Sequence, residues 1–341
     1  MSAWGVRTVA VLEVRQRIRS TRWKVALIAF FVVVGLIAWG VAAAVSGVGD
    51  SEWLSRQDAG RVLFGVVLMV VLFLGLLVSP TLSATSVNGD RAAGTLAVLQ
   101  VTTLTPLDLA VGKLLAAWGA ALAFLATSLP FLVWGAVLGR ISPVRVVASV
   151  LTLAFVLAVV CAVGLALSAS VARPAGSALL TYVVVAGVGV GTLIAFGLSA
   201  FFLQRTEVVQ VYGVDVGGSG ACSWSEREET QTHTEDTAWL LGLNPFVLVA
   251  DVAAAPAPSL NGSDPLALMG AGVRFAQAGA RDEIDECWLD DGGFGTSTPA
   301  GSAVWPWSIP VYAAAGAGSL WLAARRLRVP ATTLPRGIRI A

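Results

Sequence analysis

The sequence predicts an all-α membrane protein with six transmembrane helices, an N-terminal amphipathic helix, a polar cytoplasmic loop after the second span and a large external segment between helices 5 and 6. Three observations predict it. Of 341 residues, 56% are hydrophobic and 13% are charged, against about 25% charged in an ordinary soluble domain, and the mean hydropathy is +0.79. The apolar residues are gathered into runs long enough to cross a bilayer. The charges are gathered between those runs, with basic and acidic residues in alternate sets of segments. A water-soluble fold of this size would lack the charge to cover its surface, so the chain is solvated largely by lipid. A cytosolic enzyme, a disordered chain, a collagen and a disulfide-rich mini-protein are excluded.

A spanning helix needs about 20 mostly apolar residues, because each adds about 1.5 Å against a hydrocarbon core of about 30 Å. Six runs qualify: residues 23–45, 61–82, 114–138, 145–168, 177–203 and 304–324. The first exceeds the roughly 7 to 15 apolar residues of a signal peptide and is read as a retained helix. Residues 1–22 precede it. Within them Trp4, Val11, Leu12 and Ile18 are read on one helical face and Arg7, Arg15, Gln16 and Arg19 elsewhere. The pattern fits an interfacial helix on an anionic leaflet or a basic cluster that sets topology.

Charge placement orients the spans. With the N-terminus inside, the cytoplasmic segments hold fourteen Lys/Arg and three acids, Glu13, Asp90 and Asp108, while the outside segments hold eight Lys/Arg and eighteen acids. The inverted arrangement breaks the positive-inside rule. Both termini are therefore expected in the cytoplasm, the C-terminus as a basic tail over 325–341. Arginine outnumbers lysine twenty to two, and with the abundance of Ala, Val and Gly this points to a bacterial plasma membrane.

Two loops stand out. The cytoplasmic loop 83–113 is the one polar stretch inside that is long enough for a docking element. The external segment 204–303 carries fifteen Asp/Glu against Arg205, Arg227, Arg274 and Arg281. Its apolar stretch 238–255 is broken by Asn244-Pro245 and Asp251, so each half is too short to span and is expected as a re-entrant or interfacial helix.

Chemistry of the chain's own is not predicted. A phosphate-binding loop requires Gly-Lys-Ser/Thr after a glycine; Gly89 to Gly94 has the glycine spacing, but Thr95 stands where lysine is needed. His233 is the single histidine and lies in a polar external run. No span holds an ionisable residue near its centre, which removes the usual components of a proton relay. No catalytic residue and no metal ligand is predicted: the clusters Glu226/Glu228/Glu229 and Asp282/Glu283/Asp285/Glu286 lack a calcium-loop spacing. Cys161 reads as a small core residue. Cys222 and Cys287 share the external segment, where an oxidising environment allows a bridge; two free thiols are the alternative.

The loop after span two reads Asp90-Arg91-Ala92-Ala93-Gly94-Thr95-Leu96-Ala97-Val98-Leu99, then Thr105-Pro106-Leu107-Asp108, then Gly112-Lys113. It resembles the permease subunits of the ABC-2 family of ATP-binding-cassette exporters, in which an acid, Arg, Gly-Thr-Leu, Thr-Pro-Leu and Gly-Lys follow in this order after the second span. The resemblance implies a non-enzymatic transmembrane subunit of an exporter. Two such subunits, identical or different, would line the path, and separate ATPase subunits holding ATP and Mg would dock on a cytoplasmic coupling helix. Carried over, Asp90, Arg91, Gly94, Thr95, Leu96 and Leu99 are the coupling residues. The helix is expected to start near Asp90, with the carboxylate favourable at its N-terminus. The alternative is a non-transporting scaffold or sensor that binds an envelope partner through its external segment. The bilayer is a partner in either case, and nucleic acid is not.

Overall fold

The computed structural model describes residues 2–48, 55–94, 105–214, 222–254, 264–285, 287 and 301–328. In chain order the elements are α1 (Ala3–Arg19), α2 (Thr21–Val48), α3 (Arg56–Ser83), α4 (Ser86–Ala92), α5 (Pro106–Leu138), α6 (Pro143–Ser170), α7 (Pro174–Ala186), a π-helical turn (Gly187–Gly191) and α8 (Thr192–Phe202). Strands β1 (Gln204–Val214) and β2 (Cys222–Thr232) follow, then α9 (Trp239–Gly242), α10 (Pro245–Ala253), α11 (Pro265–Ala278), β3 (Glu283–Asp285) and α12 (Trp305–Arg326). Among the described residues, five segments are long and apolar enough to cross a membrane: Thr21–Val45, Arg56–Ala92, Pro106–Leu138, Pro143–Ser170 and Pro174–Phe202. The chain is thus a predominantly helical, multi-pass membrane type.

The sixth predicted span is not among the five. A 22-residue helix does form there, as α12. Its apolar character is diluted by Trp305, Pro306, Trp307, Ser308, Pro310 and Tyr312 near its start and by Arg325 and Arg326 at its end.

The chain divides into two compact units, residues 1–187 with 309–341 and residues 188–308. In the first, α3, α5 and α6 pack against one another around Leu63, Phe64, Leu68, Leu72, Leu132, Leu153 and Leu157, all nearly or fully buried. Lipid offers no hydrophobic drive for helices to associate, so close approach and polar contacts must hold them. Gly60 lies against the Gly139 backbone, and a Cβ at Gly135 would meet the Phe64 backbone nitrogen at 2.8 Å. Trp118 Nε1 donates to the Ala154 carbonyl at 2.9 Å. A second cluster at one end joins Val9 of α1, Val87 of α4, Leu109 of α5, Leu165 of α6 and Ala323 of α12.

A helix forms at the N-terminus, and the residues that pack lie off the apolar face read from the sequence. Gly5, Val6 and Val9 are its buried residues, and the stripe continues at helical spacing through Glu13 and Arg17. Trp4, Val11, Leu12 and Ile18 stay exposed in company with Arg7 and Arg15.

The second unit contains a sheet that the expectation of broken helices did not include. β1 and β2 pair antiparallel over eleven residues, from Gln204 opposite Thr232 to Val214 opposite Cys222, and β3 adds to β1 in parallel. The pattern behind it is period two: Val209 and Val211 are buried, while Val208 and Gln210, which alternate with them, are exposed. Cys222 and Cys287 form a disulfide with Cα atoms 6.2 Å apart. The broken apolar stretch becomes α9 and α10, which pack with α11 around Leu241, Val247, Val273 and Val304.

Candidate functional site

The start of α5 builds one end of the site. Thr105 Oγ1 accepts the Asp108 N–H at 3.2 Å and Asp108 Oδ2 accepts the Thr105 N–H at 3.2 Å, a reciprocal capping box with Pro106 in the first turn. The other oxygen of Asp108 accepts the Ser2 N–H at 2.8 Å, which ties the start of α1 to the start of α5. One turn on, α1 crosses Gly112 so closely that a Cβ there would lie 2.7 Å from Val9 Cβ and 3.1 Å from the Val6 carbonyl. Only glycine permits that approach.

Lys113 follows, 2% exposed. Its ammonium donates to Glu13 Oε1 of α1 at 2.5 Å, to Asp90 Oδ2 of α4 at 2.5 Å and to the Ser86 carbonyl at 3.2 Å. These three acceptors match the three donors of an ammonium, as a buried charge requires. Glu13 also stands 4.0 Å from Arg17, whose guanidinium donates to the Leu82 carbonyl in the last turn of α3 at 2.8 Å. Two carboxylates and two cations therefore join α1, α3, α4 and α5.

α4 is held from its other side. Ser168 Oγ accepts the Val87 and Asn88 N–H groups at 3.1 and 3.2 Å, and Asn88 Nδ2 donates to Ser177 Oγ at 3.0 Å. Ser177 in turn donates to the Ala84 carbonyl at 2.6 Å. The short helix is thus fixed to the end of α6, the start of α7 and, through Lys113, the start of α5.

The predicted coupling residues divide accordingly. The helix starts at Ser86 rather than near Asp90, so Asp90 sits in its second half and finds its stabilising charge in Lys113 rather than in the helix N-terminus. Arg91 is exposed. Gly94 ends the helix at φ +71°, a left-handed conformation that favours glycine. Thr95, Leu96 and Leu99 lie outside the described residues. Glu13, Asn88 and Ser168 are parts of the site that sequence reasoning did not single out, and Lys113 entered it only as the end of the Gly-Lys pair, with no coupling role. A signal was present: Glu13, Asp90 and Asp108 are the three acids of the basic segments, and all three are engaged here.

The second unit has polar anchors of its own. Asn244 is fully buried; its Oδ1 accepts the Phe246 and Val247 N–H groups, and its Nδ2 donates to the Gly189 carbonyl at 2.6 Å and to Thr192 Oγ1 at 3.0 Å. Gly189 lies in the π turn, where the widened helical step calls for such an outside partner. Asp251 Oδ2 accepts the Val304 and Trp305 N–H groups at 2.7 and 3.0 Å, and Arg274 stands 3.6 Å from its other oxygen. His233 lies 2.7 Å from Glu235 Oε1 and 3.2 Å from Glu207 Oε1. Burial acts to raise the pKa of Glu235, but hydrogen bonds from its own backbone, from His233 and from the Ala280 N–H outweigh it and hold the carboxyl below the usual range. Among the described residues no group of three or more His, Cys, Asp or Glu could hold a metal ion.

No protein-family model and no curated protein matches the chain. The functional reading therefore rests on the junction around Lys113 and on the order of residues that builds it.

Proposed function

We propose that this chain is the transmembrane subunit of an ABC-2 type exporter, paired with a second such subunit and driven by separate ATPase subunits docked at the α1–α4–α5 junction. The observation that carries this reading is the convergence of the resemblance's separate pieces. Asp90, Thr105-Pro106-Leu107-Asp108 and Gly112-Lys113 come from three stretches of sequence and meet in one junction: Asp90 of α4 pairs with Lys113, Asp108 holds the cap of α1 and Gly112 lies against α1. A subunit driven by a partner's ATP cycle needs a stiff element that receives a push and passes it to the spans. Here α4 receives it through the exposed Arg91, and the Lys113 ion cluster passes it to α1, α3 and α5. In this reading the junction faces the cytoplasm, α12 completes a sixth span, and the sheet-bearing segment lies outside.

Purification of the tagged chain from its native membrane in mild detergent, with mass spectrometry of bound proteins, tests it. A soluble subunit carrying Gly-x-x-x-x-Gly-Lys-Ser/Thr is expected to co-purify with the native chain and to be lost with Arg91→Glu, while the variant's thermal unfolding stays unchanged. Envelope proteins alone, with no ATPase in several detergents, would overturn it in favour of a scaffold or sensor. One observation favours that second reading: Glu226, Glu228 and Glu229 crowd one strand of a disulfide-anchored sheet.

A further inference from the structure

Where α1 turns into α2 at Ser20, the corner stands away from α3 and α4 and leaves an open cleft of about 670 Å³. The volume lies within the roughly 300 to 1,000 Å³ of ordinary small-molecule sites. Its two ends differ in chemistry. One is lined by Glu13, Arg17, Ser20, Arg22 and Asp90, the other by the apolar side chains of α2 and α3, among them Ala26, Val33, Leu74 and Val78. Between them Trp23, Phe30 and Phe124 form an aromatic wall, with Phe124 edge-on to both neighbours at ring separations of 5.0 and 5.1 Å.

We propose that this cleft binds an anionic glycerophospholipid drawn from the surrounding bilayer, with its phosphate at Arg17 and Arg22 and an acyl chain along α2 from Trp23 to Val33. The proposal does not depend on the exporter reading. Charge decides the sign of the headgroup. Glu13 and Asp90 are already engaged by the buried Lys113 ammonium, and Arg22 is exposed with no ion-pair partner among the described residues. Arg17, Arg22 and Lys113 together outnumber the two carboxylates by one positive charge. The guanidinium fork suits phosphate oxygens, and one donor of Arg17 is held in place by the Leu82 carbonyl.

Position decides for a lipid rather than a soluble phosphate. The apolar wall belongs to two helices long and apolar enough to cross a membrane. It runs about 16 Å along α2 beyond Arg22 at 1.5 Å per residue, which is the direction an acyl chain takes into the hydrocarbon. Trp23 at the junction of the two ends has the place of an interfacial tryptophan. Basic pockets between spanning helices are a general means of holding anionic headgroups.

Native mass spectrometry of the full chain, purified in detergent, stripped of lipid and titrated with phosphatidylglycerol or phosphatidylcholine of equal chain length, tests the proposal. Phosphatidylglycerol is expected to bind at least about tenfold more tightly, because both lipids carry the phosphate but the quaternary ammonium of phosphatidylcholine cancels its charge beside Arg17 and Arg22. Arg22→Gln is expected to remove most of the preference, and Ala29→Trp, which fills the apolar half, to weaken both lipids. Arg22 is at the surface, so its replacement leaves the thermal unfolding temperature unchanged. Equal binding of the two lipids, or a preference untouched by Arg22→Gln, would overturn the proposal. So would displacement of the lipid by inorganic phosphate in large excess, which would mark a free-phosphate site. Binding seen in monomers but absent from a stable dimer would also overturn it, as the cleft would then be covered by a second copy.

Discussion

The Lys113 ammonium and the Asp90 carboxylate meet at 2.5 Å across 23 residues of sequence, with the lysine 2% exposed and the aspartate on a seven-residue helix. A lysine this deeply buried persists because Glu13, Asp90 and the Ser86 carbonyl engage its three donors. Three elements are thereby placed by one side chain.

Replacing Lys113 with methionine leaves two facing carboxylates without their cation. Removal of one partner from a buried ionic group typically costs about 3 to 5 kcal/mol, so a marked drop in thermal unfolding temperature in detergent is expected. Adding Glu13→Gln and Asp90→Asn to Lys113→Met removes the orphaned charge and is expected to recover most of the loss. A triple variant as unstable as the single one would show that packing of the lysine stem, rather than charge, dominates.

Gly112→Ala places a methyl group 2.7 Å from Val9 Cβ. Overpacking of this kind costs roughly 1 to 3 kcal/mol, and here it levers α1 away from α5. Faster protease cleavage within residues 3–19 is the expected readout. Val9→Gly in the same chain is expected to restore part of the protection, because it removes both the Cβ and the Cγ1 that the new methyl meets.

The Glu235 carboxyl has a folded-state pKa below the usual value, and the unfolded value is about 4.3. A depressed carboxylate contributes stability that is fully present above the unfolded pKa and is lost as pH falls through the folded one. Amide hydrogen exchange at Ala280 is therefore expected to speed up as pH drops below about 4, after correction for intrinsic exchange. In Glu235→Gln the acid-induced part is expected to disappear.

The disulfide between Cys222 and Cys287 closes a loop across 65 residues. On the loop-closure model such a link is worth about 4 kcal/mol through the unfolded state. Reduction, or Cys222→Ser, is expected to sensitise residues 188–308 to proteolysis while leaving the packing around Leu68 and Leu157 intact. Loss of protection across both units at once would indicate that they unfold as one.

The long helices were legible because length and apolar content act locally and in one direction. A run such as 145–168 has no other stable fate in lipid than a hydrogen-bonded helix. The packed face of α1 was not legible, because the sequence marks its apolar stripe at Trp4 and Ile18 and not the helices that α1 packs against. α5 meets Val6, Val9 and Glu13, and α3 meets Arg17. The strands escaped notice because Val209 and Val211 alternate over too few residues to stand out beside the acids of β2. Two cysteines in one segment left a bridge and free thiols both open; their approach depends on where β2 begins relative to the segment that carries Cys287.

By themselves the residues determined that this chain lives in a membrane, where its long helices run and where its acids and bases collect, since burial of apolar runs and satisfaction of the backbone need no knowledge of distant neighbours. Only the tertiary structure decided that Glu13, Asp90 and Lys113 share one buried site, that Asn244 answers the Gly189 carbonyl and that Asp251 caps the start of α12. A charge or an amide is stable in an apolar interior only with partners within hydrogen-bond reach, and which groups come within that reach is decided by how the helices pack.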